Sequence, residues 1–154
     1  MNMRSAAAGF VLLAGILLAG VATAAGGRTE SDVREITLKA AAFLEEKGID
    51  SARKAFYAEG PFRHDEIYVN VIDRNGFWRI YPPSPQSEGR SVFELRDVDG
   101  KFLVQDILDV ARTKGEGWVE YRWLNPVTNQ IQPKVSYVKS VPGQGLIVYV
   151  GAYK

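Results

Sequence analysis

Cysteine is absent from the 154 residues, and histidine occurs once, at His64. The first absence excludes disulfides, thiolate metal sites, iron–sulfur clusters and thiol catalysis together. The single histidine lies between Arg63 and Asp65 in a polar turn, where solvent exposure is expected. It lacks the companions that a histidine-based metal site or a catalytic triad requires. No Gly-x-Ser-x-Gly elbow and no glycine-rich phosphate loop occurs. Asp73-Arg74-Asn75-Gly76 and Asp97-Val98-Asp99-Gly100 resemble the start of a calcium loop but lack its later ligands, so no metal and no cofactor is implied. An excess of charge is missing too, with 19 Lys and Arg against 18 Asp and Glu. Nucleic acid is therefore a poor candidate partner, because such binding rests on net positive surfaces.

The charges are unevenly spread. Met1 to Arg4 carry one positive charge, and Ala6 to Gly20 run apolar with no ionisable side chain. Small residues follow at Ala22 and Ala24. A basic start, a short apolar run and an A-x-A end make residues 1–24 a secretory signal peptide, cut near Ala24. Retention as a membrane anchor is the alternative, since residues 6–25 are just long enough to span a bilayer core. Three glycines within the run favour cleavage. No second apolar run approaches spanning length, so no membrane span is expected after cleavage, and a periplasmic or secreted location follows. Residues 25–154 have the length of a single domain.

Glu30 to Lys47 has helical periodicity through Ile36, Ala40, Phe43 and Leu44, with Thr29 or Ser31 as N-cap and Gly48 as the stop. A second short helix is expected over about Ser51–Ala58. Strand alternation begins at Ile67 and runs to Asp73, with Ile67, Val69 and Val71 on one face and Tyr68, Asn70 and Ile72 on the other. Asn75-Gly76 predicts a tight hairpin into Phe77–Tyr81. Residues 82–100 read as a long loop, followed by a helix from about Phe102 to Lys114. Trp118–Trp123, Gln132–Val141 and Leu146–Tyr153 complete five strands. The predicted fold is α+β: an antiparallel sheet with the helices packed on one face.

Aromatic and basic residues gather on the later strands: Tyr81, Trp118, Tyr121, Trp123, Lys134 and Tyr137. A lysine on the inward face of a strand is costly unless an anion meets it. A bound carboxylate, held by the ammonium and phenol hydroxyls behind indole walls, explains this set. An edge lysine that discourages aggregation, with the aromatics as ordinary core, explains it equally well. Catalysis has a weaker basis, in the carboxylate pair Glu116 and Glu120, and no catalytic residue is assigned.

Three spaced blocks carry a family likeness: Gly115-Glu116-Gly117-Trp118-Val119-Glu120-Tyr121-Arg122-Trp123-Leu124-Asn125-Pro126, then Pro133-Lys134-Val135-Ser136-Tyr137-Val138, then Gly151-Ala152-Tyr153-Lys154. With Gly60-Pro61-Phe62 and the Asp97–Lys101 turn upstream, the chain resembles the single Cache domains, in their stand-alone exported version. The resemblance implies an extracytoplasmic PAS-like fold, with a five-stranded antiparallel sheet, a long N-terminal helix and a crossing helix. It also implies a small organic carboxylate as ligand. Lys134 and Tyr121 match pocket positions, with Trp118, Trp123 and Tyr137 as walls. Tyr81 stands where related sequences often carry histidine; it keeps a hydroxyl but loses the titratable imidazole. Reporting would pass through a separate membrane-bound sensor or transporter. The alternative is an interaction module that docks on a membrane-bound kinase or receptor without a ligand of its own.

Overall fold

The computed structural model describes residues 29–154, so the predicted leader lies outside the described residues. Helix α1 (Glu30–Tyr57) opens on a reciprocal cap: the Thr29 hydroxyl accepts from the Asp32 N–H, and the Asp32 carboxylate accepts from the Thr29 N–H. The two helices expected on either side of Gly48 both form within this span and meet at a kink. Gly48 itself sits at φ 77°, ψ 170°, a conformation open almost only to glycine. Two short strands, β1 (Arg63–His64) and β2 (Ile67–Tyr68), follow as a small ribbon. His64 is only half-exposed, and its Nδ1 lies 2.9 Å from the Gly60 carbonyl oxygen.

The main sheet comprises β3 (Asn70–Asp73), β4 (Trp78–Ile80), β5 (Glu116–Asn125), β6 (Gln130–Val141) and β7 (Leu146–Tyr153). Its order is β4-β3-β7-β6-β5, and every pairing is antiparallel. The turn between β3 and β4 differs from the expected two-residue hairpin. Only Gly76 adopts positive φ, and the Asp73 carboxylate accepts from the N–H groups of Asn75 and Phe77, so side-chain capping replaces the tight turn.

Helix α2 (Leu103–Thr113) crosses the sheet on the face opposite α1. The expectation of helices on a single face is thereby corrected. Strand parity shows the division: Val148, Val150 and Ala152 of β7 pack with Val33, Leu44 and Phe56 of α1, while Ile147 and Tyr149 pack with Val104 and Ile107 of α2. A strand covered on both sides is apolar throughout, as Leu146–Tyr153 is.

The Asp97 turn fastens the approach to α2 onto β5. One oxygen of its carboxylate accepts from the N–H groups of Asp99 and Lys101, and the other accepts from the Arg122 N–H. These bonds outweigh partial desolvation and hold Asp97 below the usual carboxylate range. The calcium-like motif is a structural turn.

Candidate functional site

Lys134 lies in β6 between Tyr121 of β5 and Tyr153 of β7, its partners in register. Its side chain is 2% exposed, among the largest fully buried groups in the described chain. The stem runs across Gly151, where a methyl group would fall within 2.5 Å of Lys134 Cε and against Ser136 Oγ. Glycine at this position leaves the groove in which the lysine lies.

At the end of that groove Nζ donates to Tyr68 Oη at 2.7 Å and to Tyr153 Oη at 3.3 Å. It stands 4.1 and 4.4 Å from the centres of the same two rings. None of the ion pairs among the described residues involves it, and Glu66, the one carboxylate acting on it electrostatically, accepts a hydrogen bond from Asn125. Burial pushes the ammonium down to about 7, with Glu66 opposing weakly. Burial also drives the surrounding phenols up, Tyr121 and Tyr68 strongly and Tyr153 to about 12. They remain neutral hydroxyls throughout the range in which the lysine titrates.

Beside this group is a small cavity of about 10 Å³ lined by Tyr68, Asn70, Trp78, Tyr81, Leu95, Leu103, Tyr121, Trp123 and Tyr149. That is the room of roughly one water. The Trp78 and Tyr81 rings form part of its wall, stacked directly on each other with centroids 3.9 Å apart. Two phenol oxygens accept from a nitrogen donor: Tyr68 from Lys134, and Tyr149 from the Trp78 indole at 3.3 Å. Tyr153 donates its proton to the Leu124 carbonyl, so the Tyr68 proton turns to Tyr153 Oη at 3.4 Å, and the Tyr149 proton stays free to donate. Tyr121 is paired with Ser136 at 2.8 Å. Chemically, the set suits an anion presented to a cation and neutral donors.

Of the six sequence-predicted residues, Tyr81, Tyr121 and Trp123 line the cavity, and Lys134 reaches it through Tyr68. Trp118 and Tyr137 are placed elsewhere. They pair with each other on the α1 face, rings 4.8 Å apart, because each differs in strand parity from its neighbours Tyr121 and Lys134. Tyr137 donates to Glu116 and accepts from Arg34, and Trp118 is 37% exposed. Glu116 and Glu120 also avoid the cavity: they are held by Lys139 and Lys154, and those partners keep both acids low. Tyr68, Asn70, Trp78, Tyr149 and Tyr153 were not singled out from sequence. Asn70 carried a usable sign, an amide inside the apolar run Ile67–Ile72.

The comparisons with known proteins agree with this architecture. The family model described as Single Cache domain 2 matches residues 33–154. The sensor histidine kinase MctS of Rhizobium johnstonii is 30% identical over 86 residues, which is 56% of this chain and 18% of that protein. The chain thus spans about a fifth of the length of the curated relatives it matches. Among solved structures, the periplasmic sensor domain of a chemotaxis protein superposes with a TM-score of 0.65 at 26% identity, covering 80% of this chain and 88% of that one. A Cache chemosensory domain, described as a structural basis for carboxylic acid recognition, gives 0.63 at 23% identity, covering 80% and 86%, and shows the shared fold.

Proposed function

This chain belongs to the single Cache domain family, and on that premise we propose that it is an exported sensory module that binds a small organic carboxylate and catalyses no reaction. Its domain is the span 25–154, freed of a leader at 1–24. The observation that supports the reading best is a fully buried lysine with no ion-pair partner among the described residues, beside a cavity edged by phenols. An isolated buried cation is expensive, and an anion that enters recovers that cost through charge-assisted hydrogen bonds. Carboxylic acid recognition in a neighbour of the same fold supports the choice of ligand.

The cavity of about 10 Å³ is too small for such a ligand, so binding has to move part of the wall. Tyr81 and Leu95 are the lining residues that lie outside every strand and helix, in the segment after β4, so on this reading the movement belongs to that segment. Displacement of that segment gives a signalling partner something to read. Histidine kinases and chemotaxis receptors among the relatives suggest a membrane-bound partner of that kind. Among the described residues no helix is long and apolar enough to cross a membrane.

A thermal-shift screen over short carboxylates, amines and amino acids tests the reading. Short carboxylates are expected to raise the melting temperature, because a ligand of the native state alone must stabilise it. The gain should be larger at pH 6 than at pH 9, since the buried ammonium titrates near 7. The small cavity favours one rival, docking on a kinase or receptor without a ligand. A flat screen at both pH values would contradict the carboxylate reading and leave that rival standing.

A further inference from the structure

Asn70 is 2% exposed, and its Oδ1 is the one buried side-chain oxygen or nitrogen among the described residues that has no hydrogen-bond partner. The residue lines the same cavity as Tyr68 and Tyr149. Its Nδ2 donates to the Tyr149 carbonyl at 3.4 Å, which fixes the amide's orientation. A flip would set oxygen against oxygen. The acceptor is therefore held without a partner at the cavity wall, which is costly for a buried polar atom.

The remaining polar groups at this wall are donors. Tyr149 accepts from the Trp78 indole and has a proton free, and the Tyr81 hydroxyl and the Trp123 indole line the same wall. Neutral donors at this wall beside the Lys134 ammonium suit a carboxylate, and one fixed acceptor suits a hydrogen-bond donor on the same molecule. That donor can be a hydroxyl or an ammonium. No acidic residue lines the cavity, and Lys134 adjoins it, so a ligand ammonium would meet a like charge without compensation. A hydroxyl carries no such penalty.

We propose that Asn70 is a specificity-determining residue that accepts a hydrogen bond from the ligand, and that the ligand is a short hydroxycarboxylate. The proposal rests on the carboxylate reading above and narrows it. An unsubstituted acid leaves the amide oxygen unpaired, and a keto acid sets a second acceptor against it. Both are discriminated against by about tenfold, the value of one hydrogen bond at a buried acceptor.

Titration calorimetry on the wild-type chain and on Asn70→Leu, with lactate, propionate, pyruvate and alanine, tests this. The wild type should bind one enantiomer of lactate about tenfold more tightly than propionate or pyruvate, and alanine least. In Asn70→Leu the preference for lactate over propionate should vanish, with propionate affinity kept within about threefold. Equal wild-type affinity for lactate and propionate overturns the hydroxyl proposal while sparing the carboxylate reading. Retained preference in a folded Asn70→Leu removes Asn70 from the recognition. Should that variant not fold, the wild-type lactate-to-propionate ratio decides alone. If none of the four acids binds the wild type, the carboxylate reading falls and this proposal with it.

Discussion

Lys134→Met should abolish tight carboxylate binding and leave the fold standing. The substitution removes a charge-assisted hydrogen bond to the ligand, worth roughly 1.5–3 kcal/mol, so affinity falls at least tenfold. Stability moves the other way. The wild type buries an ammonium at 2% exposure with two phenol acceptors and no ion pair among the described residues. Methionine fills nearly the same groove without the desolvation cost, and at pH 6 the ligand-free variant should be more stable by about 1–3 kcal/mol. The pH dependence supplies a second readout. The folded-state ammonium titrates near 7 instead of 10.5. Below pH 7 both states carry the proton, and the native state bears the whole desolvation penalty. Between about pH 7 and 10 the unfolded chain binds the extra proton, so wild-type stability gains up to roughly 1.4 kcal/mol per pH unit from this group. The phenols stay neutral across that window, with Tyr153 held at about 12. Denaturant titrations at pH 6, 7, 8 and 9 should show this slope in the wild type and lose it in Lys134→Met. Equal slopes would place the ammonium in contact with bulk water.

Gly151→Ala should damage both stability and binding through one atom. The added methyl would sit within 2.5 Å of Lys134 Cε, 3.1 Å from its Cγ, and against Ser136 Oγ. Lys134 and Ser136 are themselves buried, at 2% and 0% exposure, so neither stem can swing clear into solvent. Overpacking of this kind costs about 1–3 kcal/mol. The ammonium would also leave the reach of Tyr68, which now accepts from it at 2.7 Å. Carboxylate binding should fall below detection in a chain that still melts cooperatively. Removing the obstructing stem makes the test specific: in a Lys134→Ala background, Gly151→Ala should cost markedly less, a coupling that a double-mutant cycle reads directly. Additive costs in the two backgrounds would mean that the glycine serves backbone geometry and not the lysine's path.

Much of this was visible in the sequence, and what was not has identifiable causes. Capping at Thr29, the two helical stretches of α1, the span of α2 and the β5–β6 hairpin all follow from local chemistry, and the structure places them within a few residues of expectation. Lys134 stood out because a lysine amid Val135, Ser136 and Val138 has to be explained. The grouping of Trp118 and Tyr137 with it follows from the family resemblance, and alternation along the strands separates them from it. Trp118 is three residues from Tyr121, and Tyr137 is three from Lys134, so strand geometry puts each on the other face. The parity argument was available from the sequence alone. Tyr149 and Tyr153 were harder to recognise. They lie in a strand apolar on both faces, and only the β6–β7 register brings Tyr153 opposite Lys134. Tyr68 and Asn70 reach the site through the β3–β7 side of the sheet, a pairing with no local trace. The one-face placement of the helices failed for a related reason: the unbroken apolar run of β7 already indicated cover on both sides.

The central claim is that an anion meets the buried lysine and restores its proton. Calorimetric titration of the folded chain with lactate at pH 8, in two buffers of different ionisation enthalpy, measures that proton. With the free ammonium near 7, most chains are unprotonated there, so each bound carboxylate should be accompanied by proton uptake. The uptake should shrink towards zero at pH 6. Tight binding at pH 8 with no proton taken up would contradict the account.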